Sequence, residues 1–235
     1  MLVLVLAGAF LLLVGSLLIG AFTKPEFPPY AVTDPAAPHA ADLYTLDASN
    51  GDEWRRFANA RAFLAYMYAH PGKKLLFMGC EIGQYEEWNA NGSVRWELLQ
   101  YEPHRRLQLM VQELNRFYRA HPALHQVDFH YTGFEWVDFH DVGNSIIAFI
   151  RRAQDPNDFL LFCCNFTPVG REKYEFGVPE EGFYEEILNT DAEMFGGSNM
   201  GNGGLVSSRP IARHDRKYSI AVTLPPLSVV AFRKR

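Results

Sequence analysis

Residues 145–165 read SIIAFIRRAQDPNDFLLFCCN, two apolar runs separated by Asp155-Pro156-Asn157-Asp158. Each run is too short for a stable helix and rich in β-branched or aromatic residues, and the Asp-Pro-Asn-Asp break supplies turn chemistry, so the stretch predicts two strands joined by a turn. Neighbouring Cys163 and Cys164 would point to opposite faces of the second strand. Similar runs recur at Val127–Tyr131, Phe134–Phe139, Tyr174–Val178, Tyr184–Leu188, Tyr218–Leu224 and Leu227–Arg233, with Asp141-Val142-Gly143-Asn144 as a further turn signal. Their spacing predicts an antiparallel β-sandwich over residues 126–235. The glycine-rich stretch 196–204 lacks the Lys-Ser/Thr of a phosphate loop and predicts a flexible surface loop.

Upstream the pattern changes. Asp52 can cap a helix with Trp54, Phe57, Ala58, Leu64, Ala65 and Tyr68 at helical spacing, stopped by His70-Pro71-Gly72. Leu75–Gly79 is a short apolar run bounded by glycine, as in a buried parallel strand. A second helix follows, with Pro103 at its start, an apolar face of Leu107, Met110, Val111, Leu114, Phe117 and Tyr118, and an end before His121-Pro122. Helix, strand, helix is α/β order, assigned to residues 51–125. A closed eight-stranded α/β barrel typically takes about 250 residues, so no complete one fits here.

Residues 24–50 are dense in proline and predict a linker. Residues 2–22, LVLVLAGAFLLLVGSLLIGAF, carry no charge, and a helix of that length matches a hydrocarbon core of roughly 30 Å. Residues 1–23 are therefore expected to form a transmembrane-like helix, an anchor in preference to a cleaved signal because no cation precedes the run. The cations Lys24, Arg55, Arg56 and Arg61 follow it, which would hold the rest on the cytoplasmic side of the membrane.

Composition removes several function classes. The chain has 235 residues, 48% hydrophobic, and a formal charge of −5, so the excess cation of a nucleic-acid binder is missing. Three cysteines give neither a disulfide framework nor a CxxC knuckle. His121 and His125 have ligand-like spacing, but Pro122 interrupts the helix that would align them and no third ligand is apparent, so no metal site is expected. Glu86-Glu87, Glu180-Glu181 and Glu185-Glu186 are neighbours that diverge, better explained as solvated turns than as acid/base pairs.

The loop after Leu75–Gly79 draws most interest. From Cys80 to Trp96 it reads CEIGQYEEWNANGSVRW, aromatics alternating with amides and carboxylates. Ring faces stack on the apolar side of a pyranose while Asn, Gln and Glu bond its hydroxyls, so Glu81, Gln84, Trp88 and Asn89 are the candidate substrate-binding residues. The alternative is architectural: Trp88 and Trp96 cover the end of a barrel and Glu81 pairs with an arginine or backbone amides.

Gly51–Asn59, His70–Gln84 and Glu87-Trp88-Asn89 resemble the C-terminal part of bacterial glycogen branching enzymes of the α-amylase superfamily, and the likeness continues through Leu114–Leu124 and Gly133–Asp138. Cys80 and Ile82 depart from it, standing where the family shows a small residue and phenylalanine. The resemblance implies that the fold is the terminal piece of a (β/α)8 barrel, Asp52–Ala69, Leu75–Gly79 and His104–Ala120 being its last elements, followed by the all-β domain. It implies an α-glucan partner, no cofactor, and transfer of an α-1,4 segment to a 6-hydroxyl by a retaining mechanism. The family's catalytic carboxylates lie before the point matching Gly51, so no catalytic residue is expected in this chain, and Glu81 alone cannot supply the two carboxyls about 5–5.5 Å apart that retention needs. Three expectations follow: a fragment inactive alone, a membrane-tethered glucan-binding module, or half of a split enzyme whose remaining barrel comes from a separate chain.

Overall fold

The computed structural model describes residues 52–86 and 89–235. The expected helix at 1–23 and the linker at 24–50 lie outside the described residues.

Helix α1 (Glu53–Ala69) begins where the Asp52 carboxylate accepts the Arg55 amide at 2.8 Å, and it ends at His70, whose amide still donates to the Tyr66 carbonyl. Helix α2 (Glu102–Ala120) starts with Pro103 in its first turn and buries His104, Leu107, Met110, Val111 and Leu114 along one face. Proline costs nothing there because first-turn amides have no intrahelical acceptor.

Eight strands follow: β1 (Phe134–Asp138), β2 (Ile146–Arg152), β3 (Phe159–Asn165), β4 (Arg171–Val178), β5 (Phe183–Asn189), β6 (Leu205–Ser207), β7 (Tyr218–Leu224) and β8 (Ser228–Lys234). They form a six-stranded sheet in the order β1-β2-β3-β8-β5-β6 and a two-stranded sheet of β4 and β7, antiparallel at every pairing. The expected antiparallel all-β domain is present.

Both faces of the large sheet are covered. Ile147, Phe149, Leu160, Phe162, Cys164, Val229 and Ala231 pack toward the helices, while Ile146, Ala148, Ile150, Phe159, Leu161, Cys163, Val230 and Phe232 pack toward β4 and β7. This explains why β2, β3 and β8 read as continuous apolar runs: alternation disappears when neither face meets water. Helices α1 and α2 share a core with the sheet.

Four local expectations are corrected. Leu75–Gly79 is not a strand: it belongs to neither sheet, Leu75 and Phe77 are 59% and 49% exposed, and Met78 (φ 34°) and Gly79 (φ 91°) turn the backbone left-handed, out of the β region. The barrel strand of the expected fold is therefore absent from the described residues, although both helices are present. Val127–Tyr131 is a run of turns, because the Asp128 carboxylate is drawn in by the Gly72 amide and by Arg151, which swings Phe129 and Tyr131 outward. Ser145 takes a left-handed φ of 50° and ends the preceding turn, so β2 starts one residue later. The stretch 196–204 is a surface loop, but not a loose one. Asp191 accepts the amides of Ser198 and Met200 and the Ser198 hydroxyl, and Glu186 accepts from Asn202. Beyond it lies β6, whose three residues carry too short a pattern to be read.

Candidate functional site

The candidate loop rises from a tight corner. Gly79 (φ 91°) leads into a short 3-10 turn, Cys80–Ile82, closed by Gly83 (φ 65°). Gly79 also has no room for a side chain, since a Cβ there would come within 2.8 Å of the Gln84 Oε1 atom. Ile82, the bulky substitute for an aromatic ring, is fully buried, and its carbonyl lies 2.7 Å from the Nδ1 atom of His104 on α2. A carbonyl can only accept, so His104 carries its proton on Nδ1. Its ring meets Phe57 and Tyr85 edge-on, with centroids 4.9 and 5.0 Å away. Both helices thus seat the base of the loop.

Gln84 is buried. Its Oε1 atom accepts the Arg95 amide at 3.0 Å and its Nε2 donates to the Glu86 carbonyl at 3.2 Å. The side chain ties together the two limbs of the 84–95 excursion, leaving one amide hydrogen and one lone pair for any other partner. Asn89 is exposed, and its Oδ1 accepts the Asn91 amide at 2.9 Å, a local Asx turn. Glu81 is half-buried in the 3-10 turn, and among the described residues none bonds its carboxylate. Trp88 lies outside the described residues.

Glu87 also lies outside the described residues, and the other described carboxylates of this region are engaged. Glu86 and Glu97 both pair with Arg95, and Glu53 accepts the Tyr85 hydroxyl at 3.3 Å. Arg95 is a cross-tie that sequence reasoning missed, because a lone arginine in a polar loop carries no pattern. His104 was legible in principle as a polar residue on an apolar helical face. Trp136 packs edge-on against Phe134 and Phe149 with centroids 4.8 and 5.8 Å away, whereas Trp96 is 55% exposed. Phe57, His104, Gln84 and Arg95 make the loop a pre-ordered surface of amides, a carboxylate and exposed rings.

Among the described residues, no group of three or more His, Cys, Asp and Glu side chains could hold a metal ion, and no helix is long and apolar enough to cross a membrane.

Residues 136–235 match the alpha amylase C-terminal all-beta domain. Over 180 residues the chain is 52% identical to the 1,4-alpha-glucan branching enzyme GlgB of Aquifex aeolicus (strain VF5), covering 77% of this chain and 29% of that protein. The corresponding enzyme of Synechococcus elongatus is also 52% identical over 180 residues, of which this chain covers 23%. The chain thus spans less than a third of the length of these curated relatives. A solved Nostoc punctiforme debranching enzyme superposes with a TM-score of 0.54 at 12% identity, over 75% of this chain and 31% of that one, which is a likeness of fold alone.

Proposed function

Since this chain corresponds to the C-terminal part of a bacterial 1,4-alpha-glucan branching enzyme, we propose that it serves α-glucan recognition in branching and does not break the glycosidic bond by itself. The observation that supports this reading is the state of the loop's described acids: Glu53, Glu86 and Glu97 are bonded to neighbours, so among the described residues Glu81 is the one loop carboxylate without a bonded partner, where retention requires two opposed carboxyls. Glu81, Gln84, Trp88 and Asn89 are the residues assigned to the glucan, Glu81 and Asn89 through hydroxyl hydrogen bonds and Trp88 through ring stacking. The test is an iodine-stained glucan assay with the purified chain. No change in the absorbance spectrum is expected, and turnover would sink the reading. Affinity electrophoresis in glycogen should retard the chain, less so after Trp88→Ala.

A second reading has its own support. Leu75, Phe77, Trp96 and Tyr101, all within one 27-residue span, are each about half exposed or more. Exposed apolar side chains so concentrated along the sequence are consistent with an interaction surface, here for a separate chain that carries the rest of a barrel. Size-exclusion of the native complex would show that second polypeptide; elution as a lone monomer would remove it. Residues 2–22 would tether either assembly to a membrane, which fractionation of cells expressing the chain would test.

A further inference from the structure

The sequence holds three Asn-Gly pairs, at 50–51, 91–92 and 202–203, and the first lies outside the described residues. The other two share a dipeptide but not a setting. Asn91 and Gly92 are both exposed in the candidate loop. The Asn91 main-chain amide donates to the Asn89 Oδ1 atom, the Gly92 amide donates to the Asn89 carbonyl at 3.0 Å, and among the described residues none bonds the Asn91 side chain. Asn202 is half-buried and its side chain is held three ways. Its Nδ2 donates to the Glu186 carboxylate at 2.6 Å and to the Thr223 carbonyl at 3.0 Å, while its Oδ1 accepts the Thr223 amide at 2.6 Å.

The side-chain carbonyl carbon of an asparagine lies within reach of the amide nitrogen that follows it. Glycine at that next position permits the approach, because it has no Cβ to crowd the closing ring and few backbone conformations are barred to it. The asparagine side chain must still be free to swing toward the nitrogen. At Asn91 that swing breaks no side-chain bond among the described residues, and only the Gly92 amide has to leave the Asn89 carbonyl. At Asn202 the same movement breaks three bonds, one of them to a carboxylate. The dipeptide cannot tell the two sites apart; their tertiary partners do, since Glu186 and Thr223 lie 16 and 21 positions from Asn202.

We propose that Asn91 is a modification site, at which the candidate loop deamidates through a cyclic imide closed on Gly92. The Gly92 nitrogen gives its proton to solvent, and its electron pair forms a bond to the Asn91 Cγ atom. The Cγ–Nδ2 bond breaks, its electron pair leaves with the nitrogen, and that nitrogen takes up a proton and departs as ammonia. Water then adds to one of the two imide carbonyls, and the ring opens to aspartate or isoaspartate. Either product adds a negative charge to a loop that already carries Glu81, Glu86 and Glu97. Isoaspartate also lengthens the main chain by a methylene inside the turn that the Gly92 amide closes on the Asn89 carbonyl. Because Asn89 is assigned to the glucan, the modified loop should hold glycogen less well; that consequence rests on the glucan reading, whereas the modification does not.

The test ages the full chain, folded and at mildly alkaline pH, and follows the deamidated fraction at Asn91 and at Asn202 by peptide mass spectrometry, with a parallel sample in concentrated guanidinium. Three bonds to break against one, at roughly fivefold each, place Asn91 about twentyfold ahead of Asn202 in the folded chain. In guanidinium the two rates should converge, because both sites are then plain Asn-Gly pairs. Equal rates in the folded chain, or a faster Asn202, would overturn the proposal. So would a lead of Asn91 that survives unfolding, since it would then come from local sequence and not from the missing tertiary partners. The peptide readout needs no glucan, so its failure is distinct from a failure of the chain to be retarded in glycogen.

Discussion

At the scale of single residues, the tightest constraints come from polar groups inside apolar surroundings. Arg151 has no exposed surface and satisfies three backbone carbonyls from separate segments as well as Asp128, which is how a strand residue joins the end of α1, the end of the α2 region and the entry to β1. His70 sits beside this cluster, its Nδ1 3.1 Å from the Pro71 carbonyl, and burial pushes its imidazole down to about 4. Because the folded value lies below the unfolded one near 6.5, the unfolded chain takes up the proton first as the solution is acidified. The His70 contribution is therefore intact above about pH 6.5 and is lost as pH falls toward 4, up to about 3 kcal/mol in all. Urea midpoints measured across that window should drop steeply for the native chain and less for His70→Gln. Parallel pH curves for the two proteins would exclude this role. None of this was visible beforehand, because a histidine before a proline reads only as a helix stop. The site residues fared similarly. Gln84 and Asn89 stood out as amides, but that Gln84 spends two of its bonding positions on the Glu86 and Arg95 backbone depends on how the loop doubles back.

Elements were legible where one physical pattern dominated. Helix α2 carries an apolar stripe and a first-turn proline, and α1 a capping aspartate; both formed where those signals placed them. Leu114 on α2 is fully buried between helix and sheet, so Leu114→Ala should cost about 2–5 kcal/mol through lost contacts and the cavity left behind. Asp52→Ala removes one exposed capping bond and should cost about 1 kcal/mol. Chemical denaturation of the two variants should keep that order; a larger loss at Asp52 would mean that α1 is held chiefly by its cap. Leu75–Gly79 and Val127–Tyr131 have strand composition yet form no strand. Pairing partners decide that, and the Asp128 bonds and the left-handed Met78-Gly79 corner tip the balance the other way.

Across the whole molecule, the six-stranded sheet lies between the helix pair and the β4–β7 ribbon, with Cys164 facing one layer and Cys163 the other. The all-β part is thus not self-sufficient on its helix side, where Phe149, Leu160, Phe162 and Val229 are covered by α1 and α2. A chain comprising residues 126–235 alone should expose that face, bind a hydrophobic dye and aggregate on size-exclusion. A dye-silent monomer with cooperative unfolding would show that the helices add little. Further legible in the sequence were the existence and type of most elements and the strand character of 145–165, because periodicity, turn residues and caps act within a few neighbours along the chain. The layering, the coverage of both sheet faces, the cross-tie at Arg95 and the Arg151 cluster were decided only by the tertiary structure. Those contacts join residues far apart along the chain, 82 positions from Arg151 to the Ala69 carbonyl and 129 from Arg61 to the Thr190 carbonyl, and which distant groups meet depends on how whole elements pack.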